Sequence, residues 1–466
     1  MSFFQKMKII MVFLTFLMVV KLSAQDITGS WNGMLKVQSV EIPVVFNILK
    51  DANNYKSTMD SPSQGALGLT TDTTVFENRV LRVEMSRLGV VFEGTYKEKS
   101  IKGVFTQRGI PIPLELTKGK YQQKVKPQEP LKPYPYISEE VLFKNPKANN
   151  IKLAGTLTIP RGVNNPPVVI LISGSGAQNR DEEILGHKPF LVLSDHLTKN
   201  GVAVLRYDDR GVEKSEGDFS TATSYDFADD VEAAISYLKT RNDVVDINKI
   251  GLIGHSEGGM IAPIVASKNK NVSFIVLLAG PGITGKEILL TQSRKALELS
   301  GLNSEDIDVN MKYSSKIYDV CLDYNDENSK QQMQHLFNEL KNNSSDILKA
   351  QLTDEIIQQQ LKTLTSPWML TFIKFDPKDY LSKVNCPVLA INGEKDTQVL
   401  PKINLKGIEN GLNTANNKDV TIQEIKDLNH LFQTSETGSF SEYATNKETF
   451  SPIALELISD WINNRF

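Results

Sequence analysis

Cysteine is almost missing from this chain: Cys321 and Cys386 are the only two in 466 residues. They lie far apart, and two thiols make neither a disulfide framework nor a zinc site. Cys386 precedes an apolar run and reads as a buried small hydrophobe, not half of a bridge. An excess of either charge is missing too. Lys and Arg number 52 against 55 Asp and Glu, a net charge of −3, so no electrostatic argument for a nucleic-acid partner exists. Long apolar runs are absent except at the N-terminus, where Lys6 and Lys8 precede the mostly apolar Ile9–Val20 and then Leu22-Ser23-Ala24-Gln25. That run is too short to span a bilayer comfortably and has the layout of a secretory signal. Residues 1–24 are therefore expected to be removed and the product exported, to the periplasm or beyond, with no membrane span left after cleavage. Lys21 and the bulky Leu22 depart from the usual cleavage pattern and leave an uncleaved anchor as the alternative. No cysteine follows the run to carry a lipid.

Residues 26–120 are dense in β-branched and aromatic side chains. Trp31–Val37, Ile42–Leu49, Tyr55–Met59, Thr73–Phe76, Val80–Met85, Val90–Tyr96, Ile101–Thr106 and Ile112–Leu116 form short runs, many of them alternating apolar and polar. Turn signals such as Ser61-Pro62 and Arg108-Gly109 separate them. About eight short strands in succession predict a small antiparallel barrel or sandwich. The opening Gly29-Ser30-Trp31-Asn32-Gly33 resembles the first strand of a lipocalin-like barrel, a likeness that implies no ligand. This part holds no cluster of His, Asp or Ser able to do chemistry. Residues 121–137 carry Pro127, Pro130, Pro133 and Pro135 among lysines and glutamines, the composition of a stiff, extended linker.

From residue 138 to 466 the pattern changes to alternating strands and helices. Ile151–Ile159, Val168–Ile172, Val202–Tyr207, Ile250–Ile253 and Phe274–Leu278 read as strands; Pro189–Lys199 and Ser224–Thr240 read as helices. The alternation predicts an α/β fold with a mostly parallel sheet covered by helices on both faces. Residues from about 283 to 383 interrupt it with a polar stretch that has helical spacing in Ile288–Leu299 and Lys330–Leu348. Ser366-Pro367-Trp368-Met369 falls where a helix is expected to stop. The expectation is a helical cap over the carboxyl edge of the sheet, the alternative a decoration away from it. Sheet pattern resumes at Pro387–Asn392 and Val420–Ile425, and an amphipathic helix through Ile453, Leu455, Leu457, Ile458 and Trp461 closes the chain.

One stretch in this second part carries chemistry. Lys249–Met260 runs from an apolar strand through Gly254-His255-Ser256-Glu257-Gly258 into a helix-compatible segment. G-x-S-x-G between a strand and a helix predicts a sharp turn that holds Ser256 exposed as a nucleophile; the plain alternative is a tight turn with a capping serine. A serine hydroxyl needs a base, and the base an orienting carboxylate, in the chain order nucleophile, acid, histidine. Of His187, His196, His255, His335 and His430, only His430 lies beyond the strand at 387–392 and its loop. Gly393-Glu394-Lys395-Asp396 supplies the acid: Asp396 is favoured at the turn, with Glu394 and Asp427 as rivals. Oxyanion donors are expected from the Glu257 backbone N–H and from the loop Ser173-Gly174-Ser175-Gly176-Ala177-Gln178, at Ser175 with Gly176 as rival. His255 belongs to the shape of the motif. Tyr207-Asp208-Asp209-Arg210-Gly211 reads as an ion-pair turn supporting the nearby loop, with a substrate-binding Arg210 as the minor reading.

Ser256, Asp396 and His430, in that order and context, resemble the α/β-hydrolase superfamily over residues 138–466. The Asp208–Gly217 run is similar to its D-x-R-G-x-G-x-S stretch, with Glu213 in place of the second glycine. The run Ser173–Glu182 together with GHSEGG, GEKD and LNH looks like bacterial secreted serine esterases with a helical cap and an N-terminal β-domain. The resemblance implies hydrolysis of carboxylic esters through an acyl-enzyme, with no metal or cofactor, on a small-molecule or glycan-linked ester. Prolyl-type peptidases share the fold but usually carry a propeller, for which residues 26–120 are too few. An acyltransferase or lactonase would use the same three residues. A reading from another class is an envelope-binding protein with a vestigial hydrolase domain.

Overall fold

The computed structural model describes residues 26–466 except 38, 39, 53, 63–65, 108 and 123–125. The expected signal segment and Arg108 lie outside the described residues. Two compact units divide the chain, one holding the strands up to residue 122, the other running from residue 123 to 466.

The first unit is one antiparallel sheet of β1 (Gly29–Val37), β2 (Val40–Asp51), β3 (Asn54–Ser61), β4 (Ala66–Thr70), β5 (Thr73–Glu77), β6 (Val80–Met85), β7 (Val90–Lys97), β8 (Ser100–Gln107) and β9 (Ile110–Lys118). The order is β4-β3-β2-β1-β9-β8-β7-β6-β5. A single continuous ladder rules out a two-sheet sandwich. The sheet curls so that β3, next to one edge, meets β5 at the other, with Ser57 Oγ 2.8 Å from Thr74 Oγ1. Trp31, Phe46, Phe92 and Phe105 fill the interior, and the Trp31 indole N–H donates to Ile27 O at 2.7 Å. The sequence pattern misses β4, whose five residues, ALGLT, are too few and too glycine-broken to read as a strand.

The second unit contains β10 (Ile137–Asn145), β11 (Ile151–Ile159), β12 (Val168–Ile172), α1 (Pro189–Lys199), β13 (Ala203–Tyr207), α2 (Ser224–Leu238), β14 (Ile250–His255), α3 (Glu257–Ala266) and β15 (Val272–Leu278). After an insertion come β16 (Val388–Gly393), a helix at Pro401–Thr414, β17 (Val420–Ile425) and a closing helix at Pro452–Asn463. The sheet runs β10-β11-β13-β12-β14-β15-β16-β17. It is antiparallel through β10, β11 and β13 and parallel from β13 to β17. All five residues of β12 are buried, as a central strand covered on both faces requires. Val168, Ile170 and Ile172 point into one core with Val231 and Ala234 of α2. Val169 and Leu171 point into the other with Phe190 and Leu193 of α1 and with Ile458 and Trp461. Full burial of each such side chain is worth about 1.5–3 kcal/mol. From β12 the chain goes first to β13 on one side and then to β14 on the other, a switch that opens a crevice at the carboxyl ends of these strands.

The insertion holds α4 (Gly285–Leu299), α5 (Ser304–Leu322), α6 (Glu327–Asn343), α7 (Asp354–Leu364) and α8 (Pro367–Lys374), with short helical turns between. Its own core gathers Ile317, Cys321, Met333, Phe337, Leu361 and Ile373. It leaves and rejoins the sheet through one neck, where the Gly285 N–H donates to Phe375 O at 2.9 Å. The Ser366-Pro367 pair begins a helix where the sequence reading ends one. Ser366 Oγ accepts the Met369 N–H at 3.2 Å, and Pro367 sits at the first helical position, where its missing N–H costs nothing.

The proline-rich stretch is fastened to the second unit along part of its length. Lys126 Nζ donates to Asn446 O at 2.7 Å, and the Gln128 side chain bonds both Phe450 O and the Thr449 N–H. Both cysteines are free, and burial pushes the Cys386 thiol up to about 12. No helix among the described residues is long and apolar enough to cross a membrane.

Candidate active site

Strand β14 ends in the buried His255, and α3 begins at Glu257. Ser256, between them, has φ 52° and ψ −114°, a strained conformation for a residue with a Cβ that costs about 1–3 kcal/mol. The flanking glycines are sterically required. A Cβ on Gly254 would lie 2.0 Å from Gly258 O, and one on Gly258 would lie 2.1 Å from Ile172 O. The turn thus folds onto the end of β12 and leaves Ser256 half-buried at the carboxyl edge of the sheet.

His430 lies on the loop after β17 and is buried, 4% exposed. Its Nδ1 is 2.7 Å from Asp396 Oδ2. Asp396, in the turn after β16, is held by its other oxygen, which accepts the N–H groups of Gln398 at 2.8 Å and Val399 at 2.9 Å. The rival acids are elsewhere. Glu394 is exposed and accepts the Asp427 N–H at 3.1 Å, while Asp427 pairs with Lys395 at 2.9 Å. Asn429 Oδ1 accepts the N–H groups of Leu431 and Gln433, both at 3.0 Å, and so shapes the loop that presents His430. His255 Nε2 donates to His430 O at 2.9 Å, and the two rings are 4.8 Å apart. The loop of His430 and the turn of Ser256 thus meet at one corner, joined through His255. No hydrogen bond within 3.5 Å joins Ser256 Oγ to His430 Nε2 among the described residues; such contacts are often long before substrate tightens them.

The glycine-rich loop after β12 closes the corner. A Cβ on Gly174 would lie 3.3 Å from Ser256 Cβ. The Gly174 N–H is taken by Glu182 Oε1 at 2.7 Å. Ser175, the next residue, is exposed, and its N–H has no acceptor among the described residues. The Glu257 N–H is the first of α3 and has no partner within the helix. The loop is anchored from below by both aspartates of the turn after β13. Asp209 accepts Ser173 Oγ–H at 2.9 Å and the Gln178 N–H at 3.0 Å, and burial holds its carboxyl well above the usual range against those bonds. Asp208 takes the Arg180 guanidinium at both oxygens, at 3.0 and 2.7 Å. Arg210 is buried against Asp230 at 2.7 and 2.9 Å, so the turn is built of ion pairs and the minor, substrate-binding reading of Arg210 loses its free guanidinium.

Two further side chains at the corner escaped the sequence reading. The Glu257 carboxyl is buried behind the Ser256 turn. Its Oε1 accepts Ser224 Oγ–H at 2.5 Å and the Trp368 indole N–H at 2.8 Å. Burial pushes its pKa up against those two bonds. Trp368 stands at the start of α8, so the inserted helices reach the Ser256 turn directly. Glu182 is 3% exposed, and its Oε1 is also 2.9 Å from His255 Nδ1. Burial opposes a charge on His255, but the Glu182 carboxylate, the His430 carbonyl and Asp396 outweigh it and hold the ring above its ordinary value. Neither partnership has a local signal, because 73 residues separate Glu182 from His255 and 111 separate Glu257 from Trp368.

Comparison with known proteins gives one family match, to Hydrolase_4, described as Serine aminopeptidase, S33, over residues 189–436. Esterase EstD of Thermotoga maritima is 32% identical over 152 residues, 33% of this chain and 36% of that protein. Dipeptidyl peptidase 8 of Homo sapiens is 27% identical over 160 residues, 33% of this chain and 18% of that protein. The matched region thus spans about a third of the first curated relative and under a fifth of the second. Among solved structures, an esterase of Pyrococcus furiosus aligns with a TM-score of 0.42 at 16% identity, covering 74% of this chain and 99% of that one. Est1E from Butyrivibrio proteoclasticus, solved with ferulic acid, aligns with a TM-score of 0.40 at 18% identity, covering 70% and 96%.

Proposed function

Because the chain belongs to the serine aminopeptidase S33 family of hydrolases and its larger unit is an α/β-hydrolase preceded by a curled all-β unit, we propose that it cleaves carboxylic esters by serine catalysis. Ser256 attacks the ester carbonyl while His430 Nε2 takes its proton. Asp396, bonded to Nδ1, keeps the imidazole in the tautomer that can do so and stabilises the cation that forms. The Glu257 and Ser175 N–H groups receive the oxyanion. His430 then protonates the departing alcohol, and a water activated by the same ring releases the acid from the acyl-enzyme.

The observation that carries this reading is the buried His430–Asp396 pair, 2.7 Å long, tied through His255 to the strained turn that presents Ser256. The esterase relative supports an ester over an amide. The family description and the dipeptidyl peptidase match favour a second reading, an aminopeptidase or amidase using the same residues. A panel of p-nitrophenyl esters from acetate to palmitate, run beside aminoacyl p-nitroanilides, separates the two. The proposal expects ester turnover that Ser256→Ala abolishes, together with labelling of Ser256 by a fluorophosphonate. A Ser256→Ala protein as active as wild type sinks it.

A further inference from the structure

Ser256 has two histidine–carboxylate pairs beside it, and the reaction above uses one. The second, His255 with Glu182, is buried like the first. Its bonding pattern is unusual. His255 Nε2 meets the His430 carbonyl oxygen at 2.9 Å, and its Nδ1 meets Glu182 Oε1 at 2.9 Å. A carbonyl can only accept, so Nε2 carries a proton; an ionised Glu182 can only accept as well, and with it Nδ1 carries a second. His187 provides the contrast within the same unit. Its Nε2 donates to Tyr443 O at 2.8 Å, but its Nδ1 faces the Thr449 hydroxyl at 2.8 Å, which can donate. His187 is thus satisfied as a neutral ring, and burial lowers its pKa to about 4.

The same Glu182 oxygen also accepts the Gly174 N–H at 2.7 Å. One carboxylate oxygen therefore ties the glycine-rich loop to the residue that precedes the nucleophile. The imidazole on its other side ties that residue to the backbone of His430. Three segments from three strand ends (after β12, β14 and β17) meet at this pair.

We propose that His255 is held as an imidazolium by Glu182, and that this buried ion pair is a positioning device. It fixes the loop carrying the Ser175 N–H and the backbone of His430 relative to Ser256. Its role in turnover rests on the serine-hydrolase reading; its charge state does not. The charged and titratable groups facing the His255 ring are Glu182, His430 and Asp396. Glu182 bonds the ring directly and balances its charge.

The test uses the full chain labelled with ¹⁵N-histidine. Nitrogen-detected ring spectra of wild type between pH 6 and 9 are expected to show one imidazolium with both ring nitrogens protonated throughout. It is assigned to His255 by its loss in His255→Asn, or by its survival when each of the other four histidines is replaced in turn. In Glu182→Gln that signal is expected to collapse to a neutral tautomer. With p-nitrophenyl acetate, Glu182→Gln is expected to lose about 10²-fold in kcat, the scale of a small misplacement of reacting groups, with KM little changed. Its lower pH limb should shift, and Glu182→Asp should recover part of the rate. A neutral His255 in wild type at pH 7 overturns the proposal without any substitution. So does a Glu182→Gln protein that is folded by circular dichroism and keeps both wild-type kcat and the wild-type pH limb. If wild type hydrolyses no ester and takes no fluorophosphonate, the serine-hydrolase reading fails, while the ring spectra still decide the charge state.

Discussion

At the scale of single residues, the site separates groups by what their neighbours can donate. Three carboxylates could orient His430 by sequence position, yet only Asp396 reaches it, and its second oxygen is already held by two N–H groups. Asp396→Asn is therefore expected to lower kcat by about 10³–10⁴-fold, the cost of the wrong imidazole tautomer. Glu394→Gln and Asp427→Asn should stay within about twofold of wild type, as surface changes do; steady-state kinetics of the three variants checks this. Ser256 and His430 were legible because each depends on local context, a sterically forced turn for one and position along the chain for the other. Glu182 was not legible, because nothing local distinguishes it from the charged neighbours in Arg180-Asp181-Glu182-Glu183. His187 carries a stability prediction. Its pKa is depressed to about 4 from an ordinary 6.5, so the unfolded chain binds its proton more readily than the folded one. Its contribution is complete above about pH 6.5 and is lost as pH falls toward about 4. Thermal melts across that window should show a falling midpoint, and the fall should be shallower in His187→Asn.

At the scale of elements, the central strands and flanking helices were readable because they are buried on one stripe or on both faces. Pro189–Lys199 matches its expected span residue for residue. The misses have physical causes. β10 alternates buried and exposed residues at the antiparallel edge of the sheet, a weaker signal than the apolar runs of β12 and β14. α5 buries few of its residues, because the inserted helices share a small core of their own, so its apolar stripe is thin. The Ser366-Pro367 reversal shows that proline punctuates in either direction. Among the inserted helices α8 touches the site, its Trp368 donating to the Glu257 carboxyl behind the Ser256 turn. Removing that donor forfeits one hydrogen bond worth about 0.5–1.5 kcal/mol. Trp368→Phe is expected to raise KM for long-chain esters by about two- to tenfold while kcat for p-nitrophenyl acetate changes little. Equal loss on short and long esters would place the effect in the turn instead of the inserted helices.

At the scale of the whole molecule, each unit has its own closed core, one inside the curled sheet and two flanking the parallel one. A chain beginning at Lys126 is expected to fold and to keep wild-type kcat/KM on soluble p-nitrophenyl esters; a collapse in activity with intact secondary structure would assign the β unit a part in catalysis. The N-terminal segment predicts that material exported by a bacterial host begins at Gln25, which intact-mass measurement reads directly. The neck at Gly285 and Phe375 has a further consequence. Helices α5 to α7 pack on a core of their own and can lengthen, shrink or be replaced without moving a strand of the sheet, because the two ends of the insertion are stitched together and Ile288 of α4 and Phe372 of α8 hold it to the core beneath. An engineer could graft a relative's helices between α4 and α8 to change what reaches the site, while Ile288, Trp368 and Phe372 keep their contacts with the core and with Glu257.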